Sequence, residues 1–396
     1  QDIAGIKFDI FSGTSFGAFN AAMLAAGGTT AQDDLETVWL GLQDDTNIYH
    51  YTSWFRTFDP IIRQIFLSSG SGLWFELGIL VQDFAMNKIL GSLASTMGVP
   101  GWAYSVMTSF YPVVTGIVDA VKLISAGIRA MAATSLFIPL PLELLINTNI
   151  KPSQIASSGL ELRITAVSLD SGLTRVFDQR GTMLDTGLPV PMGAALMASA
   201  ATPIAFPPVP ITTSRGTEFY VNGAVRENTP IAAAVEAGAH RVFAVMLVPR
   251  RVAYETGFTS TARGAVPLVK IVGRSISLAL HEEMLNDIQP FRGFGVPLTI
   301  ISPTFSLCDP LLIDPGLISI NMDYGYMRAY DDVVADRFIR PFMRQKSDEI
   351  TALRLDIWTA EHGANAEYLP WSLPARGTGI RRAEDVFERE LYTYYN

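Results

Sequence analysis

One segment near the start of the chain, FDIFSGTSFGAFNAAMLAAG, restricts the fold more than any other stretch of the sequence. Its first part belongs to residues 6–12, whose apolar side chains predict a short buried strand. Its second part predicts a helix of small residues that stops at Gly27 and Gly28. Ser15 therefore lies at a strand-to-helix turn, where its side chain leaves the edge of the sheet beside the positive end of a helix.

The residues GTSFG around Ser15 match the pattern G-x-S-x-G that surrounds many serine nucleophiles. The pattern alone is weak evidence, because glycine makes up about 7% of an average protein and chance matches are frequent. Ser15 is thus either a nucleophile or an ordinary turn residue, and its position between strand and helix favours the nucleophile. We expect Gly13 and Gly17 to allow a tight turn and a close approach of the backbone.

The rest of the chain alternates between predicted strands and helices, which is typical of an α/β protein. Residues 160–178 predict two strands joined around Gly172, and residues 191–209 predict a small-residue helix that ends in a proline-rich loop. A strand, a helix and another buried strand follow. This alternation predicts a central, mostly parallel sheet between helices. We also expect helices at 275–290 and 330–357, and an acidic amphipathic helix in the last fifteen residues.

Residues 45–134 differ in composition from the rest of the chain, because they are rich in aromatic residues, interrupted by glycine and sparsely charged. Residues 89–118 contain no charged side chain at all. Glycines and prolines break this stretch before the roughly 18 apolar residues of a membrane-spanning helix accumulate, so short helices fit it better. Residues 114–131 place apolar side chains at helical spacing. They either pack on the core of the protein or form a lid or membrane-docking surface, with peripheral membrane contact through 89–132.

Charge and residue usage argue against several classes of function. The net charge is −9 and no block of lysine or arginine occurs, which argues against a nucleic-acid partner. Cys308 is the single cysteine and the four histidines show no metal-ligand spacing, so we expect no metal and no other cofactor. The histidines also fit no conventional Ser-His-Asp arrangement. They are His50, His240, His281 and His362.

Five blocks in order along the chain resemble the patatin-like phospholipase family. They are FDIFSGTSFGAFNAA, SLFIPLPLELLINTNI, LRITAVSLDSGLTRVF, ASAATPIAFPPVPI and FYVNGAVRENTPIAAAVEAGAHRVFAV. The resemblance implies a three-layer α/β fold with the sheet between helices. It also implies hydrolysis of an acyl ester in a phospholipid or another glycerolipid, without a cofactor, by a Ser-Asp dyad in which Ser15 is the nucleophile.

The resemblance divides the chain into three parts. Residues 1–44 and 135–330 match the catalytic core, 45–134 form an inserted helical subdomain, and 331–396 form a C-terminal helical extension. We expect a bacterial protein that is cytoplasmic or peripherally associated with a membrane, and the sequence leaves a homo-oligomer open.

Asn222 departs from the family pattern at the second catalytic position. The family has an aspartate there, in an Asp-Gly-Gly or Asp-Gly-Ala motif, whereas this chain reads VNGAV with Gly223 as the turn glycine. An aspartate takes the proton of a serine hydroxyl, but an asparagine amide has no useful basicity. Loss of a positioned general base costs about 10²- to 10⁴-fold in rate, so we expect this chain to be an inactivated variant.

Three explanations of Asn222 are open at this point. The residue is a deliberate substitution that silences a lipase, or it marks a natural pseudoenzyme that binds lipid without cleaving it. In the third explanation, Asn222 deamidates next to Gly223 and creates an aspartate or isoaspartate at the catalytic position.

A second departure concerns the oxyanion hole. Members of the family carry a glycine-rich loop before the first strand, and its backbone N–H groups bind the oxyanion of the reaction. Residues 1–7, QDIAGIK, do not contain such a loop, so we expect it upstream of Gln1.

Overall fold

The computed structural model describes residues 5–28, 30–52, 134–250, 295–305 and 312–362, together with 278, 281–282, 284–288 and 307. Its first elements are β1 (Ile10–Thr14), α1 (Phe16–Ala25), α2 (Ala31–Leu40), a 3-10 turn (Asp45–Asn47) and β2 (His50–Tyr51). Two predicted regions lie outside the described residues. They are the helices of residues 53–133, with the membrane contact at 89–132, and the helix of the last fifteen residues.

Fifteen further helices and strands follow β2 within the described residues. In chain order they are β3 (Phe137–Ile138), α3 (Leu140–Asn149), α4 (Pro152–Ser157), β4 (Glu161–Ser168), β5 (Thr174–Phe177), β6 (Thr182–Met183), β7 (Leu188–Pro189), α5 (Met192–Ala200), β8 (Val209–Thr213), β9 (Gly216–Asn222), α6 (Ile231–Glu236), β10 (Val242–Val245), β11 (Leu298–Ile301), α7 (Pro315–Val333) and α8 (Arg340–His362). A short 3-10 turn (Gly223–Val225) lies between β9 and α6.

Seven strands form the main sheet, in the order β7-β6-β5-β4-β9-β8 with β1 beside the first half of β4. Within this sheet only the β1–β4 pair is parallel, and the other described pairs are antiparallel. Strands β10 and β11 form a separate parallel pair. The α/β class is confirmed, but the prediction of a central, mostly parallel sheet is wrong for the described residues.

Short connections explain most of the antiparallel pairs in the sheet. The predicted turn around Gly172, which has a φ of +68°, joins β4 to β5, and only Ser214 and Arg215 separate β8 from β9. Connections of this length join antiparallel neighbours, because a parallel crossover needs about a dozen residues or more. The alternation of strands and helices along the sequence does not distinguish these hairpins from crossovers.

Helices α1 and α5 lie in the core because small apolar residues cover them on every side. Helix α1 packs against β1, β4 and α5, and α5 packs against β4 and β9. Ala18 and Ala22 of α1, like Ala195 and Ala198 of α5, are fully buried. Their small side chains bring both helices close to the strands, so the ends of α1 and α5 are fixed relative to β4.

The predicted insertion begins and ends at a closed neck. Strands β2 and β3 pair antiparallel, and the N–H of Thr52 donates to the carbonyl of Leu136 at 3.0 Å. Ile48 and Tyr49 are buried in the main core, so the core extends beyond the predicted boundary at residue 44. The two ends of the segment between Thr52 and Leu136 therefore lie next to each other.

Two helices replace the single helix predicted over 330–357, and that prediction is wrong. Helix α7 ends at Val333, and α8 begins at Arg340 with Pro341 in its first turn, where the missing N–H of proline costs no hydrogen bond. The predicted domain boundary at 330/331 falls within α7. None of the helices that the structure describes combines the length and hydrophobicity that crossing a membrane requires.

Candidate active site

Ser15 lies between β1 and α1, at the strand-to-helix turn that the sequence predicts. Its backbone has φ 59° and ψ −135°, a strained conformation that residues other than glycine rarely adopt. The carbonyl of Ser15 accepts the N–H of Ala18 at 2.9 Å, which closes the first turn of α1. The side chain thus projects from a sharp turn at a helix N-terminus, which is the geometry of a nucleophile elbow.

The three glycines predicted to shape the site have different surroundings. A Cβ atom at Gly13 would collide with the carbonyl oxygen of Gly17, so no larger residue fits while the turn keeps its shape. A Cβ atom at Gly223 would lie 2.5 Å from the carbonyl oxygen of Thr165 and 3.0 Å from Cγ2 of Thr14. At Gly17 a Cβ atom would meet nothing within 4 Å. Gly13 and Gly223 are therefore required by close packing, whereas Gly17 borders open space in front of α1.

Strands β1 and β9 meet end to end on one edge of β4, and this meeting brings Ser15 to Asn222. Strand β1 runs parallel to β4 and ends with Thr14 opposite Thr165. Strand β9 runs antiparallel to β4 and ends with Asn222 opposite Ala166. Because β5 occupies the other edge of β4, the ends of β1 and β9 abut. Two residues 207 positions apart in the chain therefore lie side by side.

Asn222 is 5% exposed and makes four hydrogen bonds. Its main-chain N–H donates to the carbonyl of Ala201 at 2.9 Å, and its Oδ1 accepts the N–H of Ala224 at 2.9 Å. Its Nδ2 donates to Ser15 Oγ at 3.0 Å and to Thr202 Oγ1 at 2.9 Å. Since the N–H of Ala224 occupies Oδ1, the amide orientation is fixed, and Ser15 Oγ accepts a hydrogen bond from this amide instead of donating one to it.

Ser199 connects the elbow to the sheet. It is fully buried in α5, and its Oγ accepts the N–H of Ser15 at 2.9 Å and donates to the carbonyl of Thr165 at 2.7 Å. Sequence reasoning missed both Ser199 and Thr202. The signal lay in ASAATP, where Ser199 interrupts a helix of small apolar residues and Thr202 follows its end, because a buried hydroxyl needs hydrogen-bond partners.

The turn after Asn222 is tied to β1 by two side chains of that strand. Thr14 Oγ1 donates to the carbonyl of Glu227 at 3.0 Å, and Ser12 Oγ donates to the carbonyl of Pro230 at 2.9 Å. The loop between β9 and α6 is therefore fixed against the strand that ends in the elbow.

The carboxyl group of Glu227 is the strongly perturbed acid near the site. Burial, together with the nearby carboxylates of Asp287 and Glu236, raises the pKa of Glu227 to about 7. Asp287 itself accepts the main-chain N–H groups of Asn228 and Thr229, each at 2.8 Å. Glu227, Asp287 and Glu236 thus form an acidic cluster at the loop that follows Asn222.

The described histidines do not contact Ser15. His281 Nε2 lies 3.3 Å from the carbonyl of Arg250, His240 follows α6, and His50 belongs to the β2–β3 neck. Among the described residues, no group of histidine, cysteine, aspartate and glutamate is arranged to hold a metal ion. The side-chain partner of Ser15 Oγ is the amide of Asn222.

A serine at a strained elbow of an α/β fold is typical of hydrolytic enzymes that use a serine. A family model described as patatin-like phospholipase matches residues 2–235, more than half of the chain. The chain belongs to this family, which is a family of lipid acyl hydrolases. The match confirms the family that the ordered sequence blocks indicate. No curated protein matches the chain at a significant level.

Proposed function

We propose that the site is that of a lipid acyl hydrolase with Ser15 as nucleophile, and that Asn222 occupies the position of its general base. The contact of 3.0 Å between Ser15 Oγ and Asn222 Nδ2 at the elbow supports this proposal. The substrate is a phospholipid or another acyl-ester lipid, as the family implies. Membrane contact through 89–132 and a homo-oligomer remain predictions from the sequence.

The polarity of this contact supports the proposal that the chain is impaired as it stands. A general base accepts the proton of the serine hydroxyl, whereas Nδ2 of Asn222 donates a hydrogen bond to Ser15 Oγ. The hydroxyl is therefore not activated for attack on a carbonyl carbon. The loss of a positioned general base raises the activation free energy by about 3 to 5 kcal/mol.

The surroundings of residue 222 suit a carboxylate as well as an amide. With an aspartate in the same rotamer, one oxygen would accept the N–H of Ala224, and the other would accept the hydroxyls of Thr202 and Ser15. Three donors stabilise the ionised form of a carboxylate. An aspartate at this position is thus placed to hold its charge and to receive the proton of Ser15.

The reaction proposed for the aspartate form has two halves. Ser15 Oγ attacks the ester carbonyl carbon while its proton passes to the carboxylate, and the tetrahedral intermediate expels the alcohol, which takes that proton. Water then attacks the acyl-enzyme, with the carboxylate again as base, and releases the fatty acid and Ser15. The N–H of Ser15 is occupied by Ser199, so the oxyanion donors come from elsewhere. The family resemblance assigns them to the glycine-rich loop upstream of the first strand.

Asn222→Asp tests this proposal, with a soluble short-chain ester as the substrate and the glycine-rich loop present. We expect kcat/KM to rise by about 10²-fold or more, because the substitution restores a general base. The double variant Ser15→Ala with Asn222→Asp is the matched control and should lose the gain. A gain of less than tenfold would contradict the silenced-enzyme interpretation.

The alternative is a non-catalytic protein that binds lipid on the same fold, and the fully hydrogen-bonded Asn222 favours it as a stable native residue. The residue encoded by the native gene at position 222 separates this pseudoenzyme from a deliberate substitution. Deamidation requires the amide carbon of Asn222 to meet the main-chain nitrogen of Gly223. The hydrogen bonds of both amide atoms oppose that rotation, and peptide mass spectrometry of aged protein measures the outcome.

A further inference from the structure

The connection between α7 and α8 exposes a group of large apolar side chains. Phe338 is 76% exposed, Phe342 59% and Ile339 52%. Phe338 and Phe342 are four residues apart, and Ile339 lies between them in sequence. We call these three residues the 338–342 patch. Three large apolar side chains with this exposure in five residues lose the hydrophobic stabilisation that burial would give.

Cations surround the patch. The guanidinium carbon of Arg337 lies 4.6 Å from the ring centre of Phe338, and Nζ of Lys346 lies 5.8 Å from that of Phe342. Residues 336–346, DRFIRPFMRQK, contain four cations and one acid, in a chain with a net charge of −9. The acid, Asp336, accepts the N–H of Phe338 at 2.8 Å.

Two of these cations have no carboxylate partner among the described residues. Arg344 pairs with Asp332, and Lys346 pairs with Glu349. Arg340 donates to the carbonyl of Ala335 at 3.1 Å, and Arg337 is exposed beside Phe338. The positive charge of Arg337 is therefore available to an anionic partner beside the exposed rings, and the half-buried Arg340 adds positive charge at the same place.

The patch is presented by a rigid pair of helices. Asp332 and Arg344 join α7 to α8 next to the connection, and Asp323 and Arg354 join them further away. Ser347 Oγ donates to Asp331 at 3.1 Å in the buried layer between the two helices. The connection at 334–339 is thus the tip of an antiparallel helical hairpin whose two arms are fixed to each other.

We propose that the 338–342 patch docks on a bilayer that contains anionic phospholipid. The rings of Phe338 and Phe342 and the side chain of Ile339 enter the boundary between headgroups and acyl chains, while Arg337 and Arg340 contact lipid phosphates. Charge complementarity selects this partner, because the site of contact is basic while the whole chain is acidic. The surface goes beyond the proposed hydrolysis, since cleavage of a soluble ester does not require it.

The test is flotation of the full chain with vesicles of ether-linked lipids, which contain no acyl ester and report binding independently of hydrolysis. One set of vesicles is phosphatidylcholine alone, and the other contains phosphatidylglycerol as well. The variants are the double substitution Phe338→Ser with Phe342→Ser, the single substitution Arg337→Gln, and the control Leu184→Ser. Leu184 is a matched control because it is 48% exposed on the β6–β7 hairpin, away from the patch in sequence.

We expect binding to the anionic vesicles and weaker binding to phosphatidylcholine. The double variant should bind at least about tenfold more weakly, and Arg337→Gln about fivefold more weakly, as expected for one cation near an anionic surface. Leu184→Ser should bind like the unmodified chain.

Three outcomes would overturn the proposal. The first is that the unmodified chain does not bind anionic vesicles, and the second is that the double variant binds them as well as the unmodified chain does. The third is that the double variant still binds vesicles but, in sedimentation velocity, has lost a self-association that the unmodified chain shows. The third result would assign the patch to a contact between copies of the chain. A failure of Asn222→Asp to gain activity leaves all of these measurements unaffected, so the two proposals fail separately.

Discussion

The two strand ends that meet on β4 are held in place by different means. At the end of β1, the elbow is fixed by the backbone itself, through the strained φ of Ser15 and the close contact of Gly13 with Gly17. At the end of β9, Asn222 is oriented mainly by hydrogen bonds of its side chain. The position of Ser15 therefore depends on main-chain shape, whereas the side chain at position 222 can change while the backbone stays the same.

Gly13→Ala should break the elbow and have the largest effect on stability. The added Cβ collides with the carbonyl of Gly17, and a clash with backbone forces the turn to move, at a cost of about 3 kcal/mol or more in the free energy of unfolding. Gly17→Ala is the matched control, because its Cβ meets open space, and should change stability by no more than about 0.5 kcal/mol. Urea unfolding measures both, and equal losses in the two variants would refute the steric explanation.

Ser199→Ala should loosen the link between the elbow and β4. It leaves the N–H of Ser15 and the carbonyl of Thr165 without the hydroxyl between them, which costs about 1 to 3 kcal/mol of unfolding free energy. Ser157→Ala, at an exposed serine of α4, is the control and should be nearly neutral. In the Asn222→Asp background, we expect Ser199→Ala to lower kcat more than it raises KM. An unchanged kcat would contradict a positioning role for Ser199.

Substitution of Glu227 should have the smallest effect on stability. It concerns only the loop that follows Asn222. Its folded-state pKa of about 7 lies above the ordinary 4.5, so the folded protein holds a proton that the unfolded chain releases. This contribution favours folding below pH 4.5 and is lost as the pH rises through about 7.

Glu227→Gln should therefore stabilise the protein at pH 8 by up to about 2 kcal/mol, and the difference should shrink towards pH 5. Unfolding curves at both pH values check this sign. The exposed residue Glu36 of α2 supplies the control Glu36→Gln, which should show no comparable change with pH. A variant that is less stable than the unmodified chain at pH 8 would show that the Glu227 carboxylate is favourably paired.

The local features of the site could be predicted from the sequence, and the long-range ones could not. The elbow at Ser15 follows from a strand, small residues and a helix within twenty residues of one another. The hydrogen bonds of Asn222 to Thr202 and Ser15 depend on how three separate elements pack, and no local pattern encodes them. The resemblance to the family identified position 222 as part of the site. It did not predict the direction of the hydrogen bond between Asn222 and Ser15, or the link through Ser199.

The errors in the fold have physical causes as well. Buried strands of parallel and antiparallel sheets have similar hydrophobic patterns, so the orientation of β9 depends on the length of its connection to β8. The interruption between α7 and α8 was marked by Pro341, but the apolar spacing of 330–357 continues through it. Phe338 and Phe342 have the spacing of a helical apolar face, but Phe338 lies in the connection and both side chains are exposed instead of facing the core.

The neck formed by β2 and β3 has a consequence for how this protein can vary. Tyr51 pairs with Phe137, and the main chain of Thr52 with that of Leu136, so everything between these residues begins and ends at one fixed place. Strands β1 and β9 each pair with β4, and none of these three strands belongs to that segment. Its length and composition can therefore change without moving the strand ends that carry Ser15 and Asn222.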